Sequence, residues 1–199
     1  MTLPREEVLA RARKVKALVL DVDGVLTDAS LFYGARGEAM KAFSARDGFA
    51  VKLAQSEGLR VAILSGRQAP PLKARLRDLG IPRELAVEGS RDKKRDLARL
   101  AARLGLRLDE VAYMGDDLPD LPAIADAGLS ACPGDATGVV CERCHHVCRA
   151  GGGHGAVREM VELILAARGR WDVIVESWSE GTAAEGFFAR SEPAAGHGD

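Results

Sequence analysis

LVLDVDGVLTD, residues 18 to 28, is an apolar run that ends in two aspartates one residue apart, followed at once by a glycine. Read as a buried strand with a period of two, it points Asp21 and Asp23 the same way. Carboxylates that leave a hydrophobic strand together are not there for packing, because burying unpaired charge costs several kcal/mol. A positive partner is expected between them. Oxygen donors of this kind suit a hard cation such as magnesium.

Outward from that stretch, the chain repeats one pattern. Residues 4 to 14 read as a short amphipathic helix leading into a first strand from about Val15 to Leu20. SLFYGARGEAMKAF then gives two short segments around Gly34 and Gly37, a β-hairpin inserted over about 28 to 44. Phe32, Tyr33 and Phe43 line a face of it that suits a subunit contact. Asp47 is placed to cap a helix that Gly58 stops. Leu59 to Leu64 is a second strand ending at Ser65, Gly66 and Arg67. A helix from Pro70 to Leu79 follows, then a short strand from Glu84 to Val87 and a helix from Lys93 to Leu104. Val111 to Met114 exits into GDDLPD, residues 115 to 120, and Leu129 to Cys132 is a further strand. GGGHG, residues 151 to 155, precedes a last amphipathic helix over Ala156 to Arg168.

Strands alternating with helices predict an α/β fold, a doubly wound parallel sheet with the hairpin after its first strand. In such sheets the site lies beyond the carboxyl ends of the strands, where polar residues distant in sequence meet. At 199 residues the chain suits one domain, expected over 1–178, with a flexible Ser-, Gly-, Glu- and Ala-rich tail over 179–199.

Composition excludes several classes of function. Lys plus Arg number 28 against 29 Asp plus Glu, a formal net charge of −1, so no global field points to nucleic acid or an anionic membrane. No run approaches the roughly 18 apolar residues of a spanning helix, and the start lacks the apolar core of a secretion signal, so a cytoplasmic protein is expected. Cys132, Cys141, Cys144 and Cys148 read as reduced thiols. Cys141, Cys144, His145 and Cys148 also allow a zinc site on paper, and C-x-x-C-H allows haem attachment, but the bland reading of small semi-buried thiols is preferred.

The strand ends offer the parts of a phosphoryl-transfer site. Asp21 fits a carboxylate nucleophile that forms an acyl phosphate. A metal held by Asp21, the backbone carbonyl of Asp23 and Asp116 or Asp117 would neutralise charge between nucleophile and phosphate. Asp23 is the general acid and base, Ser65 donates to a phosphoryl oxygen, and Arg67 reaches a second anionic group. A lysine of the Lys93, Lys94 run supplies positive charge to the transferring group, and Asp120 supports from behind through backbone or lysine.

DVDG, LSGR, Lys93 and GDDLPD, in this order and on these elements, resemble the motifs of the haloacid dehalogenase-like phosphohydrolases. LDVDGVLTD, KAFSARDGF, GDDLPDLP and GGGHGAVREMVE resemble, over about residues 15 to 175, the 3-deoxy-D-manno-octulosonate 8-phosphate phosphatases. The resemblance selects Lys93 over Lys94. It implies a fold with no large cap domain and a Mg2+-dependent phosphatase of a small phosphorylated sugar acid, serving lipopolysaccharide sugar biosynthesis and assembling as a homotetramer through its hairpins. Gly66, Arg67, Arg46 and His154 are the implied substrate-binding residues, with GGGHG as a loop closing over the substrate. His154 stands where many relatives have arginine. Relatives acting on nine-carbon acid 9-phosphates carry Gly-Glu after the motif hydroxyl residue. This chain has Gly66-Arg67, which favours the eight-carbon substrate; the nine-carbon acid phosphate is the alternative. A phospho-receiver domain or a non-catalytic scaffold would be a different class; receivers lack an acid two residues after the phosphorylated carboxylate.

Overall fold

The computed structural model describes residues 3–35, 37–183 and 187. Its frame is a parallel sheet built from β1 (Ala17–Leu20), β4 (Arg60–Leu64), β5 (Ala86–Val87), β6 (Val111–Met114), β7 (Leu129–Cys132) and β8 (His146–Val147). Their order across the sheet is β5-β4-β1-β6-β7-β8. Counted without the hairpin this is 3-2-1-4-5-6, in which successive strands lead away from β1 on one side and then on the other. The switch point falls between β1 and β6, paired from Ala17 with Val111 to Leu20 with Met114. Loops leaving these two strands diverge, which opens a crevice at their carboxyl ends.

The side chains of β1 explain the three layers. Leu18 and Leu20 face a core shared with α1 (Arg5–Ala12), α2 (Ala45–Ser56), α3 (Pro70–Asp78) and α7 (Ala156–Ala167). Ala17 and Val19 face the opposite core, with α4 (Lys93–Arg103), α5 (Leu121–Asp126) and α6 (Gly138–Cys141). A strand buried on both faces reads as a continuous apolar run, and all four residues of β1 are buried.

The hairpin stands outside this sheet as an antiparallel pair, β2 (Phe32–Gly34) and β3 (Gly37–Met40). Leu31, Phe32, Tyr33 and Met40 on it are exposed.

Three elements depart from expectation. Ser44, not Asp47, caps α2, its hydroxyl accepting from Asp47 N. Asp47 is buried, and its carboxylate accepts from Gly155 N (3.1 Å) and Arg158 N (2.9 Å), so it caps α7 instead. An acid at that helix start satisfies two donors that the helix cannot. The strand expected from Glu84 begins only at Ala86, because Pro82 starts a 3-10 turn over Arg83–Leu85. An unanticipated helix, α8 (Trp171–Ser179), spans the expected boundary at 178. Of the tail expected over 179–199, residues 184–186 and 188–199 lie outside the described residues. Phe187 packs against Phe49 and Trp178, with ring centroids 5.1 and 5.3 Å away.

Candidate active site

Asp21 continues β1 directly into the crevice, and its N–H still bonds Met114 O of the neighbouring strand. Opposite it, Gly115 carries the chain of β6 into Asp116. Ligand oxygens of Asp21, Asp116 and Asp120 all lie within 4.8 Å of one another. Asp120 is the interior member. Its oxygens accept from Lys93 Nζ (2.5 Å), the Tyr113 hydroxyl, Asp116 N (3.1 Å) and Asp117 N (3.2 Å). Those four donors hold the 116–117 loop against the end of β6. Lys93 also reaches Asp21 Oδ2 at 2.9 Å, so one buried ammonium faces two carboxylates.

The charges do not balance within this cluster. Burial, and then the Asp120 charge, raise Asp21 to about 6 against the opposing pull of Lys93. Burial followed by Asp120 and Asp21 raises Asp116 to about 7. Two acids held partly protonated near neutrality mark a site with room for further positive charge. All of its donors are hard oxygens, and among the described residues no protein donor bonds the Asp116 carboxylate. Gly24 adds a steric sign of close approach. Its φ is +85°, and a Cβ there would fall 2.1 Å from Asp116 Oδ2. These residues fit a hard divalent cation held by Asp21 and Asp116.

Asp23 lies in a different setting. One carboxylate oxygen, Oδ1, is bonded by Lys41 Nζ, and the other, Oδ2, is 3.6 Å from Arg67 Nε. Lys41 also pairs with Glu38 Oε1 (2.6 Å), while Arg67 pairs with Glu38 Oε2 (3.0 Å) and donates to the Tyr33 hydroxyl (3.0 Å). Asp23, Lys41, Glu38 and Arg67 thus form a ring of alternating charge that joins the first loop, the hairpin and the loop after β4.

Ser65 is buried, and its Oγ accepts from Arg67 N at 3.2 Å, which leaves the hydroxyl hydrogen to donate. Gly66 sits beside it on the same loop; a Cβ there would meet Ser90 O at 3.7 Å. Lys93 is buried in the cluster, whereas Lys94 is exposed and pairs with Asp126 on α5.

Several expected residues stand elsewhere. Asp117 is exposed and turns its Oδ1 to Leu118 N (2.8 Å), capping the short turn that carries Asp120. The third carboxylate beside Asp21 and Asp116 is therefore Asp120, not Asp117. Arg46 is exposed in the first turn of α2, and His154 is exposed on the glycine-rich loop. That loop packs on the chain after Asp23: Gly153 N bonds Val25 O, and a Cβ at Gly152 would fall 2.0 Å from Gly24 O. Its glycines serve that close approach. The four residues of the paper zinc site do not converge. Cys141 Sγ lies 3.8 Å from Cys132 Sγ, Cys148 Sγ bonds Ala156 O, and His145 Nδ1 accepts from Ser130 N.

Sequence reasoning missed Lys41, Glu38 and Tyr33. A surface hairpin lacks the apolar periodicity that marks a charged residue as out of place, so nothing in the spacing sets Glu38 or Lys41 apart. Tyr113 carried a signal, since it is the one polar-tipped side chain in the strand VAYM, and a buried phenol needs a partner.

Known proteins resemble this chain over most of its length. A family model of haloacid dehalogenase-like hydrolases covers residues 35–128. The 3-deoxy-D-manno-octulosonate 8-phosphate phosphatase KdsC of Escherichia coli K12 is 39% identical over 166 residues, 83% of this chain and 87% of that protein. The cobalt-bound deoxy-D-mannose-octulosonate 8-phosphate phosphatase from Haemophilus influenzae superposes with a TM-score of 0.79 at 42% identity, covering 82% of this chain and 94% of that one. The phosphatase of the same name as the first, from Moraxella catarrhalis, solved with magnesium, phosphate and KDO, gives a TM-score of 0.83 at 34% identity, covering 87% and 98%.

Proposed function

The chain belongs to the 3-deoxy-D-manno-octulosonate 8-phosphate phosphatases of the haloacid dehalogenase-like hydrolases, and from that premise we propose that it removes the phosphate of 3-deoxy-D-manno-octulosonate 8-phosphate with Mg2+ as cofactor. The observation that carries the proposal is the cluster of Asp21, Asp116 and Asp120 around one buried lysine at the switch point of the sheet. Its electrostatics favour a cation, and its position meets a substrate arriving over the strand ends.

Asp21 and Asp116, with the backbone carbonyl of Asp23, would hold the Mg2+. Bound there, the ion supplies charge neutralisation between carboxylate and phosphate and aligns the two. The Asp21 carboxylate attacks phosphorus and the bond to the ester oxygen breaks, leaving an acyl phosphate on Asp21. Asp23 gives its proton to the departing sugar alkoxide. It then takes a proton from the water that attacks the acyl phosphate, which frees Asp21 and releases phosphate. Lys93 keeps the nucleophile ionised and steadies the transferring group, and Ser65 donates its hydroxyl hydrogen to a phosphoryl oxygen. Asp120 orients Lys93 and the Asp116 loop. Arg67, 42% exposed at the rim beside Gly66, pairs with the sugar carboxylate. Arg46 and His154 are further rim contacts for the sugar. Gly66-Arg67, where nine-carbon relatives carry Gly-Glu, supports the eight-carbon over the nine-carbon acid.

The hairpin's exposed Leu31, Phe32, Tyr33 and Met40 support self-association, in keeping with a homotetramer. No helix among the described residues is long and apolar enough to cross a membrane; with a phosphorylated sugar acid as substrate, the proposed compartment is the cytoplasm.

The test is phosphate release with Mg2+ over both sugar acid phosphates, with Asp21→Asn and Asp23→Asn alongside. Release from the eight-carbon ester that Asp21→Asn abolishes is the expected result. No release from either ester would end the phosphatase reading. A clear kcat/KM preference for the nine-carbon ester would end the substrate assignment alone.

A further inference from the structure

The ring around Asp23 contains one lysine whose side chain is almost fully buried. The Lys41 side chain is 1% exposed, although Ala39 and Met40 just before it on the hairpin strand face solvent. A lysine side chain buried to this degree needs carboxylates in place of the water it gives up. Glu38, 7% exposed, and Asp23 supply them here. Arg67, by contrast, is 42% exposed and holds Asp23 through the looser 3.6 Å contact. The two cations on Asp23 therefore differ: Lys41 is sealed in place, and Arg67, anchored mainly by Glu38 and Tyr33, touches Asp23 only at its solvent-facing edge.

We propose that Lys41 is a positioning residue for proton transfer. It fixes Asp23 Oδ1, which leaves Oδ2, 3.6 Å from Arg67 Nε at rest, to face the ester oxygen once a substrate anion draws Arg67 away. This inference rests on the reading of Asp23 as general acid and base. Glu38 is the counterpart that keeps Lys41 aimed at Asp23, since its Oε1 faces the same ammonium. The same arrangement makes the hairpin part of the catalytic apparatus, because a hairpin displaced from the core would carry Lys41 off with it. Esters with a second anion are thereby favoured. They alone offer Arg67 a carboxylate to replace Glu38 and Asp23.

Leaving-group dependence tests this role. A sugar alkoxide is a poor leaving group and departs only as Asp23 transfers its proton to the ester oxygen while the P–O bond breaks. A nitrophenolate leaves without that proton. In single-turnover experiments with the full-length Mg2+-loaded protein, Lys41→Met is expected to slow acyl-phosphate formation from the sugar acid phosphate by about 100-fold or more. The burst of nitrophenolate from p-nitrophenyl phosphate is expected to stay close to that of the unaltered protein, as is Mg2+ affinity by calorimetry. Equal losses with both esters would show that Lys41 does not act through Asp23, and no loss with either would show that it does not act at all; each overturns the proposal. Should Lys41→Met fail to fold, Lys41→Gln, which keeps polar contact with Glu38, is read in the same way. If the unaltered protein forms no acyl phosphate from either ester, the phosphatase reading itself fails and this inference with it.

Discussion

Replacing Asp116 by asparagine should stabilise the metal-free protein above neutrality, though it removes a proposed metal ligand. Asp116 is raised from its ordinary 3.8 to about 7, by burial first and then by the charges of Asp120 and Asp21. A raised acid binds its proton more tightly folded than unfolded. Stability from this group is thus complete below the unfolded value, falls as pH climbs between the two values, and levels off above about 7. At about 1.4 kcal/mol per pH unit the span is worth about 4 kcal/mol for a sealed group. Asp116 is only half-buried, so solvent screening brings the figure to about 2 kcal/mol. Asparagine keeps the shape without the charge. In EDTA at about pH 8, Asp116→Asn should therefore melt higher by about 4–8 °C for a chain of this size, and the gap should largely close at about pH 4.5. Saturating Mg2+ should raise the unaltered protein, by about 2.7 kcal/mol at a hundred times Kd, and leave the variant where it was. Thermal melts at the two pH values, with EDTA and with Mg2+, decide the matter. An asparagine variant less stable than the unaltered protein at pH 8 in EDTA would refute the idea that the acids are crowded in wait for a cation.

Asp21→Asn should abolish phosphate release while preserving the circular dichroism spectrum; measurable turnover would remove Asp21 as nucleophile. Gly24→Ala combines a φ of +85° with a Cβ 2.1 Å from Asp116 Oδ2, and should weaken Mg2+ binding by about tenfold or more, given the strain of a left-handed alanine; an unchanged calorimetric affinity would contradict the close approach. Asp47→Ala leaves Gly155 N and Arg158 N without their acceptor and should cost about 1–2 kcal/mol in urea unfolding; an unchanged unfolding midpoint would show that the carboxylate does not cap α7.

The amino-acid sequence by itself determined the strand that begins the sheet, the alternation of strands and helices, and the acids at the strand ends. These are local signals. Apolar runs such as ALVL and VAYM must be buried, and a charge directly after one must sit where the strand surfaces. Lys93 could be chosen over Lys94 only through family spacing, and the fold shows why the two differ: one points into the crevice, the other along the solvent face to Asp126. Apart from the bond between Asp120 and Lys93, long-range pairing was not legible. Asp47 caps a helix more than a hundred residues away, Asp120 displaces Asp117 from the acidic cluster, and Lys41 reaches Asp23 across the hairpin. Nothing in the periodicity of those segments records such partners, because a hydrogen bond between distant residues leaves no trace in the spacing of either. LVLDVDGVLTD already assigned its two acids different roles; only tertiary structure decided their surroundings, the cation site with Lys93 for Asp21 and the charged ring that the hairpin completes for Asp23.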